Sequence, residues 1–139
     1  MSFILTIIIN YLKLLKKHGF KCFRGKDKRY WELLYPGSPP VYQPQIVNGL
    51  ANIPGSMYFV SGRGIRKHIP KGLRSLKARF WIDSAIKEEK IFHLWFHPAD
   101  FADDTEKLFS DFEKILQYAK RKKDENAIEI KTMREIATE

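Results

Sequence analysis

The chain has 139 residues, which suits one ordinary domain and excludes two large ones. Hydrophobic residues make up 44% of it, enough to form a buried core, so a disordered polycation is excluded. There are 25 Lys and Arg against 16 Asp and Glu, which gives a formal net charge of +9. The single cysteine, Cys22, excludes an internal disulfide framework and a cysteine-based zinc site.

An apolar run at residues 3–9 opens the chain and stops at Asn10. A membrane-spanning helix needs about 20 apolar residues. A secretory signal carries its basic residues before the apolar run, whereas here Lys13, Lys16 and Lys17 follow it. We therefore predict no signal peptide, no transmembrane helix and no membrane partner, and we take a cytoplasmic location as the default.

Apolar spacing predicts three long helices. The first covers roughly 7–18 and ends at Gly19, although the Ile-rich residues that open the chain could equally form a strand. The second covers 73–89 with an imperfect apolar stripe. The third begins after a capping box formed by Asp103 and Glu106 and runs to about residue 122. A short amphipathic turn is predicted at 133–137.

Short β-type runs alternate with these helices. Strands are predicted at 20–24, 57–60, 91–97 and 128–131. This alternation predicts an α/β fold in which parallel strands alternate with helices in one domain, 1–139. Residues 25–55 are dense in proline and glycine and are predicted to form a long loop. The aromatic residues of that loop suit sugar stacking or a loop pinned to the core, and we favour the second; they are Tyr30, Trp31, Tyr35 and Tyr42.

Positive charge is scattered over three clusters, at 24–29, 63–79 and 120–123. The last cluster follows a helical stripe and is typical of a solvated helix end that complements the helix dipole. Nucleic acid is therefore an unlikely partner by this pattern. A basic module that binds nucleic acid or an anionic glycan remains an alternative interpretation.

The histidines His93 and His97 have a spacing that places two imidazoles on one face of a helix, as in some metal sites. Their neighbours are strand formers and Pro98 ends the run, so the segment is expected to be extended. The two rings would then lie about 13 Å apart and could not share a metal ion. His97 would stand at the carboxyl end of the strand, where α/β folds place active-site groups, although a single histidine there is more often structural.

The residues Phe92-His-Leu-Trp-Phe-His-Pro98, together with the segments 112–118 and 130–136, resemble the C-terminal half of polysaccharide deacetylases, the NodB-homology family of carbohydrate esterases. Residues 11–25 are similar to the family segment in which a helix ends in Gly-Phe and the next strand carries Arg-Gly. Residues 52–57 resemble an internal segment of one branch of the family.

This resemblance implies the C-terminal portion of a distorted (β/α) barrel that acts on N-acetylated or O-acetylated carbohydrates. Such enzymes use a divalent metal such as zinc, held by one Asp and two His, together with a carboxylate base and a histidine acid. Residue by residue, His97 matches the acid. Trp95 and Arg24 are assigned to the substrate side of the cleft, and His93 supports the strand beneath it.

The family's Asp-Asp near the first strand and its His-x-x-x-His after the second strand are both missing from this chain. The resemblance therefore implies no metal ligand and no cofactor in this chain alone, and no hydrolysis without a second half. One alternative is a split deacetylase, in which a second chain supplies the metal-binding half and this chain supplies His97. A partial barrel also leaves open sheet edges, which predicts self-association or dependence on another chain.

Overall fold

The computed structural model of the protein describes residues 11–25, 41–59 and 61–138. Within these ranges the fold is mixed α/β, with two small sheets. The helices are α1 (11–17, as far as it is described), α2 (Leu73–Glu88), α3 (Thr105–Asp124) and α4 (Met133–Ile136). The strands are β1 (Cys22–Phe23), β2 (Gln45–Val47), β3 (Leu50–Asn52), β4 (Met57–Tyr58) and β5 (Leu94–Trp95). Short 3-10 turns cover Gly64–His68 and Pro98–Phe101.

The first sheet has the strand order β1-β3-β2, with β1 parallel and β2 antiparallel to β3. The tight turn between β2 and β3 is formed by Asn48 and Gly49, both with positive φ. An Asn-Gly pair between apolar residues is a strong hairpin signal, because both turn positions favour left-handed backbone. The prediction of a continuous loop over 25–55 is therefore wrong at 45–52, and its stretch 26–40 lies outside the described residues.

The second sheet pairs β4 with β5 in parallel, so that Met57 lies opposite Leu94 and Tyr58 opposite Trp95. The connection between them contains α2, as a parallel crossover requires. The buried Ser56 fixes this register from one end. Its hydroxyl accepts a hydrogen bond from the His93 amide at 3.0 Å and donates to the Ile91 carbonyl at 3.4 Å.

Helices α2 and α3 pack on the same side of the second sheet and bury its apolar residues. Phe59 is fully buried there, stacked on Phe101 at a centroid distance of 5.3 Å and in edge contact with Phe112. The rest of the buried cluster is Met57, Ala78, Trp81, Ile82, Leu108, Ile115 and Tyr118. This core holds the two strands that carry the candidate site.

A buried acidic residue, Asp111 of α3, ties α3 to the start of α2. One carboxylate oxygen accepts a hydrogen bond from the Gly72 amide at 2.7 Å, and the other lies 3.9 Å from the Arg74 guanidinium. Burial lowers the pKa of Arg74, and the attraction of Asp111 opposes that shift. The Asp111 side chain is fully buried, so its contacts are shielded from water.

The helix at 73–89 and the helix ending near 122 are confirmed as α2 and α3, and 91–97 is extended rather than helical. The strand predicted at 128–131 is wrong, because these residues pair with no strand among the described residues. The short turn that follows is confirmed as α4, capped reciprocally by Thr132 and Glu135.

The predicted capping box of α3 is wrong. Asp104, not Asp103, precedes the first turn, and its side chain makes no capping hydrogen bond. Asp103 instead accepts a hydrogen bond from Arg63 at 2.5 Å. No helix in the described part of the chain is both long and apolar enough to cross a membrane.

Ser56→Ala should destabilise the protein by about 1–3 kcal/mol, because it removes the hydroxyl that accepts the His93 amide hydrogen bond in a buried position. The free energy of unfolding in urea measures this cost. Ser84→Ala on α2 is the control and should change the free energy by no more than about 0.5 kcal/mol. Equal effects of the two variants would show that Ser56 does not hold the register.

Asp111→Ala should cost about 3–5 kcal/mol, because it leaves the Arg74 charge buried beside an empty position. The matched control is Asp124→Ala on the same helix, which removes only an exposed ion pair with Lys120 and should cost about 0–1 kcal/mol. Urea unfolding of both variants tests this difference. A loss below about 1 kcal/mol for Asp111→Ala would contradict the proposed role of the pair.

Candidate functional site

Three of the four residues to which the resemblance gives a role lie together, with two others, at the ends of strands. Arg24 directly follows β1, Tyr58 and Trp95 end β4 and β5, and His97 and Asp100 lie at the start of the 3-10 turn after β5. We call these five residues the His97 cluster. The carboxyl ends of parallel strands are where open α/β sheets bind their ligands.

The centre of the His97 cluster is aromatic. The rings of Tyr58 and Trp95 stack with centroids 4.3 Å apart and planes 27° apart, as their direct pairing in the sheet allows. The ring of His97 meets the Trp95 ring edge-on at 5.7 Å and the Tyr58 ring at 6.3 Å. Trp95 is 6% exposed and Tyr58 is half-buried, whereas His97 is exposed, so His97 is the most accessible residue of the three.

Arg24 covers the Trp95 ring. Its guanidinium carbon lies 3.6 Å from the ring centroid, in cation–π contact, and the residue as a whole is exposed. Such a contact contributes about 0.5–2 kcal/mol and holds the side chain in place. The Arg24 guanidinium and the His97 imidazole therefore both contact the indole of Trp95.

Asp100 joins the ends of the two strands. One of its carboxylate oxygens accepts a hydrogen bond from the Tyr58 hydroxyl at 2.7 Å, and the other accepts from the His97 backbone amide at 2.8 Å. Hydrogen bonds to a charged acceptor are stronger than neutral ones. Asp100 thus fixes the backbone from which the His97 ring projects.

His93 is separate from this arrangement. Its ring nitrogen Nδ1 lies 3.2 Å from the Pro54 carbonyl oxygen, and the residue is half-buried. The described residues contain no group of three or more His, Cys, Asp or Glu side chains placed to hold a metal ion. The side chains of the described residues therefore do not fit the metal site of the deacetylase family.

Tyr58 and Asp100 are site residues that the sequence analysis missed. Tyr58 ends a predicted strand, but only the register with β5 shows that it lies beside Trp95. Asp100 had a local signal, since a carboxylate three residues after a turn residue often accepts that residue's amide hydrogen bond. Its contact with Tyr58 joins residues 42 positions apart and has no sequence signature.

A cavity of about 810 Å³ lies elsewhere among the described residues. It is a mostly apolar groove between the sheets, α2, α3 and the segment 127–137, and its lining includes Ile46, Leu94 and Leu116. None of the five residues of the His97 cluster lines this groove. We place the candidate chemistry at the His97 cluster because the groove offers chiefly aliphatic side chains.

Comparison with known proteins gives no match to this chain among protein-family models, curated proteins or solved structures. The resemblance to polysaccharide deacetylases therefore stays a prediction from the quoted residues. What the structure itself establishes is an α/β protein with an exposed histidine at the carboxyl end of a parallel strand.

Asp100→Ala should increase the hydrogen-exchange rate of the His97 amide by roughly tenfold or more, because a charge-assisted hydrogen bond is lost. Exchange measured by nuclear magnetic resonance tests this. Tyr58→Phe is the control, since it removes the other bond to Asp100 and keeps the His97 contact, and should change the rate by less than about threefold. An unchanged rate in Asp100→Ala would show that Asp100 does not fix this turn.

Proposed function

We propose that this chain is the C-terminal, general-acid portion of a polysaccharide deacetylase-like protein acting on N-acetylated carbohydrates, and a segment of a distorted (β/α) barrel. The observation that carries the proposal is the grouping of Arg24, Trp95 and His97. They come from two segments about 70 residues apart, and they are the residues that the resemblance assigns to the acid and to the substrate side of the cleft. They meet at the edge of the parallel strands where α/β folds bind ligands.

The polar groups of the His97 cluster suit an acetamido sugar. The guanidinium of Arg24 offers several N–H donors for the carbonyl and hydroxyl oxygens of a sugar, and the imidazole of His97 can donate or accept. The indole of Trp95 is covered by Arg24 and stacked on Tyr58. In this proposal Trp95 therefore serves substrate binding by holding Arg24, and not as a stacking surface for the sugar.

The step assigned to this chain is proton transfer. As the carbon–nitrogen bond of the acetamido group breaks, the protonated imidazole of His97 donates its proton to the leaving amine, which departs neutral. A histidine suits this role because its ordinary pKa lies near neutrality. The attack on the acetyl carbonyl is assigned to the second half, which carries the metal motifs. The chain alone is therefore not expected to complete the hydrolysis.

Sheet edges that are unpaired among the described residues support the version in which a second half completes the site. Among the described residues, β1 pairs only with β3, and the second sheet has two strands. Unpaired edges offer backbone donors and acceptors to another strand. In this proposal the second half is another polypeptide of a split enzyme. Self-association of this chain would cover the same edges but would not supply the metal motifs.

N-acetylated chito-oligosaccharide should bind the purified chain and shift the amide resonances of Arg24 and His97 more than cello-oligosaccharide of equal length does. Arg24→Ala should weaken this binding about fivefold, the loss of roughly one hydrogen bond. Lys13→Ala on α1 is the control and should leave it unchanged. Equal shifts with both sugars, or none at these residues, would contradict the carbohydrate assignment.

An assay of acetate release distinguishes the complete site from this chain alone. The chain alone, supplied with zinc and acetylated chito-oligosaccharide, should release none, and its complex with a polypeptide carrying the Asp-Asp and His-x-x-x-His motifs should release acetate. His97→Ala in that complex should reduce the rate about 10²–10⁴-fold, the usual contribution of a general acid. Release by the chain alone would refute the division of the site, and an unaffected His97→Ala complex would refute the role of His97.

A further inference from the structure

Helix α2 has a second apolar face that points away from the core. Leu73, Leu76 and Phe80 are 48%, 61% and 61% exposed, and we call these three residues the outer stripe. At 100° per residue they lie within an arc of about 60°, nearly opposite the buried side of the helix. That buried side carries Ala78, Trp81, Ile82 and Ala85. The imperfect apolar stripe seen in the sequence is therefore two stripes, and only one of them is covered by the core.

The chain around the outer stripe is strongly basic. Residues 63–82 contain seven Lys and Arg and no Asp or Glu. Two of the seven face acids, because Arg63 binds Asp103 and Arg74 faces the buried Asp111. The other five are Arg66, Lys67, Lys71, Lys77 and Arg79.

Two acidic residues near this stretch contact other side chains. Asp83, one turn beyond Phe80, accepts the Tyr118 hydroxyl hydrogen bond, and Asp104 lies 3.5 Å from Lys107. Three of the five remaining cations are exposed; they are Lys67, Lys71 and Arg79. The outer stripe is thus an exposed apolar strip within a positive surface.

We propose that the outer stripe docks on an anionic lipid surface, with Leu73, Leu76 and Phe80 entering the boundary between headgroups and acyl chains. A helix that combines an apolar face with flanking Lys and Arg binds such surfaces through buried apolar area and attraction to anionic headgroups. The positive charge is the complement of that surface. A nucleic acid would use the cations and gain little from the three apolar side chains, so the lipid surface fits both features.

This inference is independent of the proposed carbohydrate chemistry. It also revises the prediction of no membrane partner, which came from the short apolar run at residues 3–9. That run bears on spanning or secretion, whereas the outer stripe would lie in the plane of the membrane surface.

Sedimentation with phosphatidylcholine vesicles, with and without phosphatidylserine, tests the proposal on the full chain. Binding should require phosphatidylserine and weaken as salt is raised, because salt screens the attraction between exposed charges. The double variant Leu76→Gln/Phe80→Gln should bind about tenfold more weakly or worse. Its matched control, Ile46→Gln/Leu116→Gln, alters residues that are 73% and 52% exposed on the apolar groove and should bind as the original chain does.

A second pair of variants tests the charge. Lys71→Glu/Arg79→Glu should lose binding to phosphatidylserine vesicles by about tenfold or more. Lys13→Glu/Lys123→Glu makes the same change of net charge at exposed positions on α1 and α3 and should lose clearly less. Unfolding in urea and chito-oligosaccharide binding, measured on every variant, distinguish a failed surface from a failed fold or a failed sugar site.

Three results would overturn the proposal. The first is equal binding to vesicles with and without phosphatidylserine, and the second is binding that the Leu76→Gln/Phe80→Gln variant retains. The third is the absence of vesicle binding. In that case analytical ultracentrifugation would show whether the outer stripe joins two copies of the chain, and titration with duplex DNA would show whether the basic surface binds nucleic acid.

Discussion

The parallel pairing of β4 with β5 is the constraint on which both the core and the His97 cluster depend. It sets Tyr58 against Trp95, and it leaves Phe59 on the side that faces α2 and α3. Because side chains alternate along a strand, a slip of one residue would exchange these two sides. Ser56 opposes such a slip, because its hydroxyl hydrogen-bonds to the backbone of Ile91 and His93, just before β5. A small polar residue thus supports stability and the candidate chemistry together.

Two carboxylates likewise connect segments that are far apart in the chain. Asp111 lies in the interior and links the beginning of α2 to the middle of α3. Asp100 lies at the edge and links the ends of β4 and β5. One holds the helical layer in place and the other orients the exposed His97, so the loss of Asp100 should affect the site more than the fold, and the loss of Asp111 the reverse.

Two surfaces of the chain now have separate proposed roles. The His97 cluster offers a positively charged and a proton-donating group beside a covered indole, which suits one half of a reaction on an acetylated sugar. The outer stripe of α2 offers apolar side chains within a basic stretch, which suits an anionic lipid surface. The two surfaces share no residue, so an experiment that refutes one proposed role does not affect the other.

The sequence by itself determined the local features: the helices α2 and α3 to within a few residues, the extended run that ends at Pro98, and His97 at the end of that run. These follow from period and from proline, which act over a few neighbouring residues. Only the tertiary structure decided the rest. The site depends on contacts between residues far apart in the chain: Tyr58 stacks on Trp95, Arg24 lies over the Trp95 ring, and Asp100 hydrogen-bonds to Tyr58. The wrong strand prediction at 128–131 has the same cause, because strand-forming residues need a partner strand that the local sequence does not specify.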